Sequence, residues 1–232
     1  MARSLLIGVA LSIIFSQPGL VGIGEELRYS ASFKFISVGD ATISASSTLD
    51  NEIEISTSIK SNRFLSRLYA LDDSISTIYS DDFKLRRIYK RVSQGTYKKT
   101  FRSDISTIDK TVATGSIVKK FTYDPFDPIG LIYFLRSADI TSLENDTFSI
   151  IDNGKITDIG IHVSRDESIS VGGSQYSCIK FVPYSIGDEK LFKNDGIMSV
   201  WVTDDRDRVP IKIEQRTNIG MMTLELKGMG SK

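Results

Sequence analysis

The chain has 232 residues, 41% apolar content, and 29 basic against 29 acidic side chains. That apolar share is enough for a packed core, and the balanced charge gives no global attraction to nucleic acid. No low-complexity linker divides the chain, and the about 210 residues after the N-terminal segment fit one β-rich domain.

The opening MARSLLIGVALSIIFSQPGLVG places one cation, Arg3, before an apolar run from Leu5 to Phe15 and the breaker pair Pro18-Gly19. This is the pattern of a secretory signal peptide over residues 1–22, with cleavage near Gly22 and a single domain over 23–232. A spanning helix needs about 20 apolar residues, so the exported chain is expected not to span a membrane. Loss of Arg3 leaves 28 basic residues (29 − 1) against 29 acidic. The lone cysteine, Cys178, is far from the leader, so neither a lipid anchor there nor an internal disulfide is expected. The expected product is exported, soluble and not lipidated.

Beyond the leader the dominant period is two. In EELRYSASFKFISV (25–38), Leu27, Tyr29, Ala31, Phe33 and Phe35 share one face, and Arg28, Ser30, Ser32 and Lys34 share the other. Strands are likewise expected at 41–49 and 52–60, joined by the turn-prone pair Asp50-Asn51. RFLSRLYAL (63–71) reads as a short helical turn, and 74–79 as a strand.

Strands at 83–92 and 97–103 meet at Gln94-Gly95 and carry an unusual charge run. Lys84, Arg86, Arg87, Lys90, Arg91, Lys98, Lys99 and Arg102 occur with no acidic residue between them, while Tyr89, Tyr97 and Phe101 are interleaved. Cations on neighbouring strands repel unless water or an anion screens them. The plain reading is a solvated face that discourages edge pairing; the sharper one is a docking patch for anionic lipid headgroups, acidic glycan or an acidic partner protein.

After a strand at 111–123, DPFDPIGLIYFLRSAD breaks the pattern. Asp127 can cap a helix, Pro128 suits its first position, and Ile129, Leu131, Ile132, Phe134 and Leu135 wrap apolar surface around residues 128–138. A helix this short is marginal alone in water. Burial of each large side chain is worth roughly 1.5–3 kcal/mol, so the concave side of a curved sheet is the expected dock. There it either fills the core or lines a hydrophobic groove.

Further strands are expected at 156–163, 176–182, 197–203, 207–216 and 219–226. His162, the sole histidine, lies on the first of these, where it reads as a solvated strand residue; one His without nearby Cys partners makes no usual zinc site. Cys178 reads as a packing thiol, because a nucleophile needs an activating base beside it, and only His162 is available for that role. Trp201, if it faces inward, adds a large apolar surface near the helix and joins the groove candidates. TDDRDR (203–208) reads as a hairpin turn, since it lacks the glycine and distal glutamate of a calcium loop. No G-x-S-x-G, H-E-x-x-H or phosphate-loop motif occurs. Neither catalytic residues, metal nor cofactor are expected.

GEELRY (24–29) with VG (38–39), DPIGLIYFLR (127–136), GSQYSCIKFVP (173–183) and WVTDDRDRVPIKI (201–213) follow one another in an order that resembles the DUF3108 family of exported bacterial proteins. The resemblance implies a periplasmic, mainly antiparallel β protein with no established activity. By fold-level analogy it is similar to the half-open barrels of periplasmic lipoprotein carriers and sensors. The stretch 139–172 offers few matches. The expected architecture is a curved antiparallel sheet or half-open to closed barrel with one short helix on its concave side. The expected role is a non-enzymatic carrier of an apolar or lipid-like ligand; the alternative is an interaction module of an envelope assembly with a self-filled core.

Overall fold

The computed structural model describes residues 22–231 except 64, 68, 69, 188–196, 218 and 219. Apart from Gly22, the expected signal peptide lies outside the described residues. Strands β1 (Glu25–Phe33), β2 (Ile36–Ser47), β3 (Ile53–Ser61), β4 (Asp72–Tyr79), β5 (Leu85–Gln94), β6 (Tyr97–Ser106), β7 (Thr111–Thr114) and β8 (Ile117–Lys120) form one meander. Strands β9 (Pro125–Phe126), β10 (Phe148–Asp152), β11 (Lys155–Val171), β12 (Ser174–Ser185), β13 (Ile197–Thr203), β14 (Pro210–Thr217) and β15 (Gly220–Ser231) form a second. The two meet where β1 pairs with β15, giving a 15-stranded curved sheet ordered β8 to β1 and then β15 to β9. Among the described strands only β9 and β10 pair in parallel.

The antiparallel ladders sort the connections into two ends. Turns at 34–35, 95–96, 115–116 and 153–154 collect at one end, and those at 48–52, 80–84, 107–110, 172–173 and 204–209 at the other. Strands β8 and β9 are the sheet's free edges. Side chains draw the two halves together instead: Lys84 reaches Asp124 and Lys90 reaches Asp152, each at 3.1 Å.

Two expected strands need correction. The strand expected over 25–38 is a hairpin, because Lys34 and Phe35 adopt left-handed φ of 49° and 67° and reverse the chain. Phe35 is therefore at a turn tip, 91% exposed, and not on the inner face. The strand expected over 111–123 is likewise two short strands around Gly115, whose φ of +61° suits a tight reversal. The stretch 139–172 is well structured: it holds a short helix α2 (Ile140–Leu143) and all of β10 and β11, the latter at 17 residues a long strand. The helical turn read at 63–71 is a single 3-10 turn, Leu65–Arg67.

The helix α1 (Pro128–Ser137) spans the second end of the curved sheet and is fixed at both of its own ends. Asp127 caps it, accepting from the Ile129 and Gly130 N–H groups at 3.1 Å each, and the hydroxyl of Tyr79 at the end of β4 donates to the same carboxylate at 2.6 Å. Gly130 permits that approach, since a Cβ there would lie 1.8 Å from the Tyr79 Oη. At the other end Arg136, 2% exposed, forms a bidentate ion pair with Glu25 on β1 and donates to the Asp207 carbonyl. Tyr133 donates to the same glutamate at 2.9 Å. Arg208 then donates to the carbonyls of Leu135, Arg136 and Ala138, satisfying groups that a helix C-terminus leaves free.

Two substitutions test this anchoring by denaturant unfolding. Glu25→Ala leaves a buried guanidinium unpaired and is expected to cost about 3–5 kcal/mol. Gly130→Ala, which in an ordinary helix gains up to about 1 kcal/mol, is expected to destabilise, because the added methyl displaces the Tyr79 hydroxyl. A stabilised Gly130→Ala protein would contradict the packing described.

Candidate functional site

The inner rows of the sheet leave space above α1. A cavity of about 250 Å³ is lined by Ile59 on β3, Ile75 on β4, Ile88 and Lys90 on β5, Phe101 on β6, Ile151 and Asp152 on β10, Met198 on β13, Ile213 and Gln215 on β14, and Met222 and Leu224 on β15. Asp127, Pro128 and Ile129 form its floor. The lining is mainly apolar, with Thr57 on β3 and Ser103 on β6 in the wall, Asp127 at the floor, and a rim of Lys90, Asp152, Asn153 and Gln215 toward the end that α1 leaves open. An apolar cavity of about 150 Å³ accepts benzene, and this one, at about 250 Å³, is larger.

The floor carboxyl is electrostatically unusual. Burial raises the Asp127 pKa above the ordinary carboxylate value, and the bonds from Tyr79, Ile129, Gly130 and Thr77 only partly offset it. Burial also raises the Tyr79 hydroxyl well above its usual value, with the neighbouring Asp127 charge adding to the effect, so Tyr79 stays a donor. On the rim, Lys90 is bound to Asp152, and its stem lies in the inner row beside Ile75 and Phe101.

The helix residues named from sequence separate into three groups. Ile129 lines the cavity. Leu131, Ile132 and Leu135 are buried against Ile150, Phe181, Pro183 and Val200, where about 20 Å³ of space remains, so they fill core. Phe134 packs into an aromatic cluster, with ring centroids 4.9 Å from Phe126 and 5.4 Å from Phe148. The helix therefore both fills the core and floors a cavity.

Trp201 is a correction. It points to the outer face, in the cross-strand row Lys180–Trp201–Lys212–Glu225, while its neighbours Met198 and Val200 point inward. The two lysine ammonium groups lie 4.9 and 5.3 Å from its ring, and their stems leave it 8% exposed. Alternation in IMSVWV fixes which residues share a side, not which side is inward, and the inward side is the one that carries Met198 and Val200.

The basic run does not form one patch. Arg87, Arg91 and Arg102 face outward and pair with Asp104, Asp72 and Asp104, respectively, while Lys84 and Lys90 pair with Asp124 and Asp152. Arg86, Lys98 and Lys99 have no described carboxylate partner, and Lys99 lies 4.6 Å above the Phe101 ring at the open end. His162 is exposed and stacked on Tyr184, at 4.2 Å between centroids. It pairs opposite Val182, whereas Cys178 pairs opposite Glu167, so the register does not bring the two together. Burial and the nearby Asp204 raise the Cys178 thiol to about 11, which suits packing rather than attack. In TDDRDR, Asp205 accepts from the Asp207 and Arg208 N–H groups and from Thr203, as a hairpin turn requires. Among the described residues no cluster of three or more His, Cys, Asp or Glu side chains has the geometry to hold a metal. No described helix is long and apolar enough to cross a membrane.

A curved, β-barrel-like sheet with a helical floor and an apolar interior defines the class, and comparison with known proteins agrees. The model of DUF3108, described as a protein of unknown function, matches residues 28–227, and the chain belongs to that family. It is similar in structure to a β-barrel-like protein of the domain of unknown function DUF1849 from Brucella abortus, with a TM-score of 0.64 at 10% identity over 91% of this chain and 99% of that one. The hypothetical protein CT021 from Chlamydia trachomatis aligns over 88% of this chain and 87% of its own, at 9% identity and a TM-score of 0.37. No curated protein matches significantly.

The Asp127 environment gives a signed pH prediction. A carboxyl whose folded pKa lies above its unfolded value contributes stability below the unfolded value of about 3.9 and loses it as pH rises through the folded one. Asp127→Asn keeps the cap acceptor without a titration. Its stability relative to the parent is therefore expected to rise as pH increases above about 4, read from urea midpoints across pH. A fall over the same range would mean that the hydrogen bonds, not burial, dominate this site.

Proposed function

We propose that this protein is a non-enzymatic binding protein of the periplasm, which holds one apolar or lipid-like ligand inside its curved sheet. The carrying observation is the interior space of about 250 Å³ between Ile75, Phe101, Ile151 and Leu224, closed below by Ile129. Natural cores close such voids, because unfilled apolar volume sacrifices contact energy. A cavity walled by Ile, Met, Leu and Phe with a few polar groups at its rim is the usual form of a small-molecule site. Its volume favours a single acyl segment over a two-chain lipid. The leader-like first 22 residues support export, and the rim lysine suits a ligand with an anionic head.

One edge of the sheet supports a different role, as an interaction module of an envelope assembly. All four residues of β8 are exposed, with Ile117 and Val118 at 61% and 64%, and its outer backbone groups are free to add a strand.

Native mass spectrometry of protein purified from its own periplasm, followed by solvent extraction and lipid analysis, separates the two. The binding reading predicts a co-purified mass lost on extraction, and recovered on adding a single-chain amphiphile. Ile75→Trp, which fills the cavity from β4, is expected to reduce uptake at least about tenfold while leaving the Phe134 cluster intact. A clean apo mass with no uptake would overturn the carrier and direct attention to the β8 edge.

A further inference from the structure

A chain with no net charge is here strongly polarised between its two ends. At the end that α1 leaves open, Lys34, Arg63, Arg67, Lys98, Lys99 and Arg216 are exposed, and none is ion-paired with a described carboxylate. The described carboxylates near that end are already engaged: Asp72 with Arg91, Asp73 with Gln94 and the Ser93 N–H, and Asp152 with Lys90. At the end closed by α1 the exposed charges are mainly acidic, among them Asp50, Asp81, Asp82, Asp109, Asp204 and Asp205.

The open end is also apolar at its tips. Phe35 is 91% exposed, Ile36 69%, Ile197 56% and Tyr97 53%. Phe35 is the more telling because its φ is +67°, in a turn whose left-handed positions favour Asn and Gly. Neither backbone preference nor packing within this chain accounts for a phenylalanine at that tip.

We infer that the open end docks on an anionic lipid bilayer. Phe35, Ile36, Tyr97 and Ile197 enter the headgroup region, while these six cations sit against lipid phosphates. Exposed aromatic and aliphatic tips among unpaired Lys and Arg are the combination that binds such surfaces, each cation adding a similar electrostatic increment and each tip adding buried apolar area. An acidic protein partner would match the charge but would not call for separate apolar tips on different turns. Docking this way points the rim of Lys90, Asn153 and Gln215 at the membrane, so that an acyl segment moves between bilayer and cavity without crossing bulk water. The inference rests on the binding role proposed above for its ligand, but the docking surface stands on its own residues.

The test is flotation of the purified chain with vesicles of phosphatidylcholine alone and of phosphatidylcholine with phosphatidylglycerol, at low and high salt. Binding to the mixed vesicles only, weakened by salt, is expected. Lys98→Gln combined with Lys99→Gln is expected to lower partitioning by roughly 30-fold, and Phe35→Asp to weaken it at both salt concentrations. Leu49→Asp and Ile108→Asp serve as controls: both residues are more than nine-tenths exposed, at 105% and 92%, but stand at the acidic end, so these changes are expected to leave binding unaltered. Absence of vesicle binding, or equal sensitivity to the control substitutions, overturns the inference even if native mass spectrometry finds a ligand. Vesicle binding by a protein with no cavity ligand upholds the docking surface and removes only the carrier role. Capture of an acidic protein with no vesicle affinity also overturns it.

Discussion

The buried pairing of Arg136 with Glu25 is the constraint on which the rest of the architecture turns. A guanidinium 2% exposed is tolerable only if its charge is paired and its nitrogens find acceptors, and here the Glu25 carboxylate on β1 and the Asp207 carbonyl in the 204–209 turn supply them. That single side chain ties the start of the first meander to the end of the helix that opens the second. Tyr79 and Asp127 do the same at the helix N-terminus, from the end of β4. With both ends held, α1 cannot slide inward to fill the remaining space, and the interior keeps a volume that a freely packing helix would close.

This explains how one element fulfils both roles open to it. The face bearing Leu131, Ile132 and Leu135 is packed as tightly as any core, while the first turn, with Pro128 and Ile129, is only a floor. Charge segregation follows the same axis. The helix end is surrounded by acidic turns, the open end by basic ones, and the sheet itself is drawn together by the Lys90–Asp152 pair between β5 and β10 and by the Lys84–Asp124 pair rather than by a closed ladder. Exposed pairs of this kind contribute about 0–1 kcal/mol each, so the seam is the natural place for the barrel to widen.

Much of this was legible in the residues because alternation and helix punctuation are local signals. Asp127 and Pro128 marked the helix start to the residue, and Asp50-Asn51 and Gln94-Gly95 marked hairpins that are present. What failed was non-local or against the rules of turn composition. Lys34-Phe35 reverses the chain with residues that carry no turn signature, so a hairpin read as one long strand. β10 is buried on both faces, as FSIID with no alternation, and therefore looked like nothing in particular. The cavity was legible only in part: Ile129 came from the helix, but Ile75, Phe101, Met222 and Leu224 are separated by the whole sheet and share a wall only once it curves. The basic run looked unopposed because its carboxylates, Asp72, Asp124 and Asp152, are supplied from other strands and loops.

The central claim is that the space above α1 is a ligand site and not a packing defect. The most direct measurement is a crystal structure of the chain grown with 12-bromododecanoic acid, using bromine anomalous scattering to locate the chain tail. The account predicts one dominant peak between Ile75, Phe101 and Leu224, above Ile129, with the carboxylate directed toward Lys90. Bromine found only on the outer face, or none in an interior filled by shifted side chains, would contradict it.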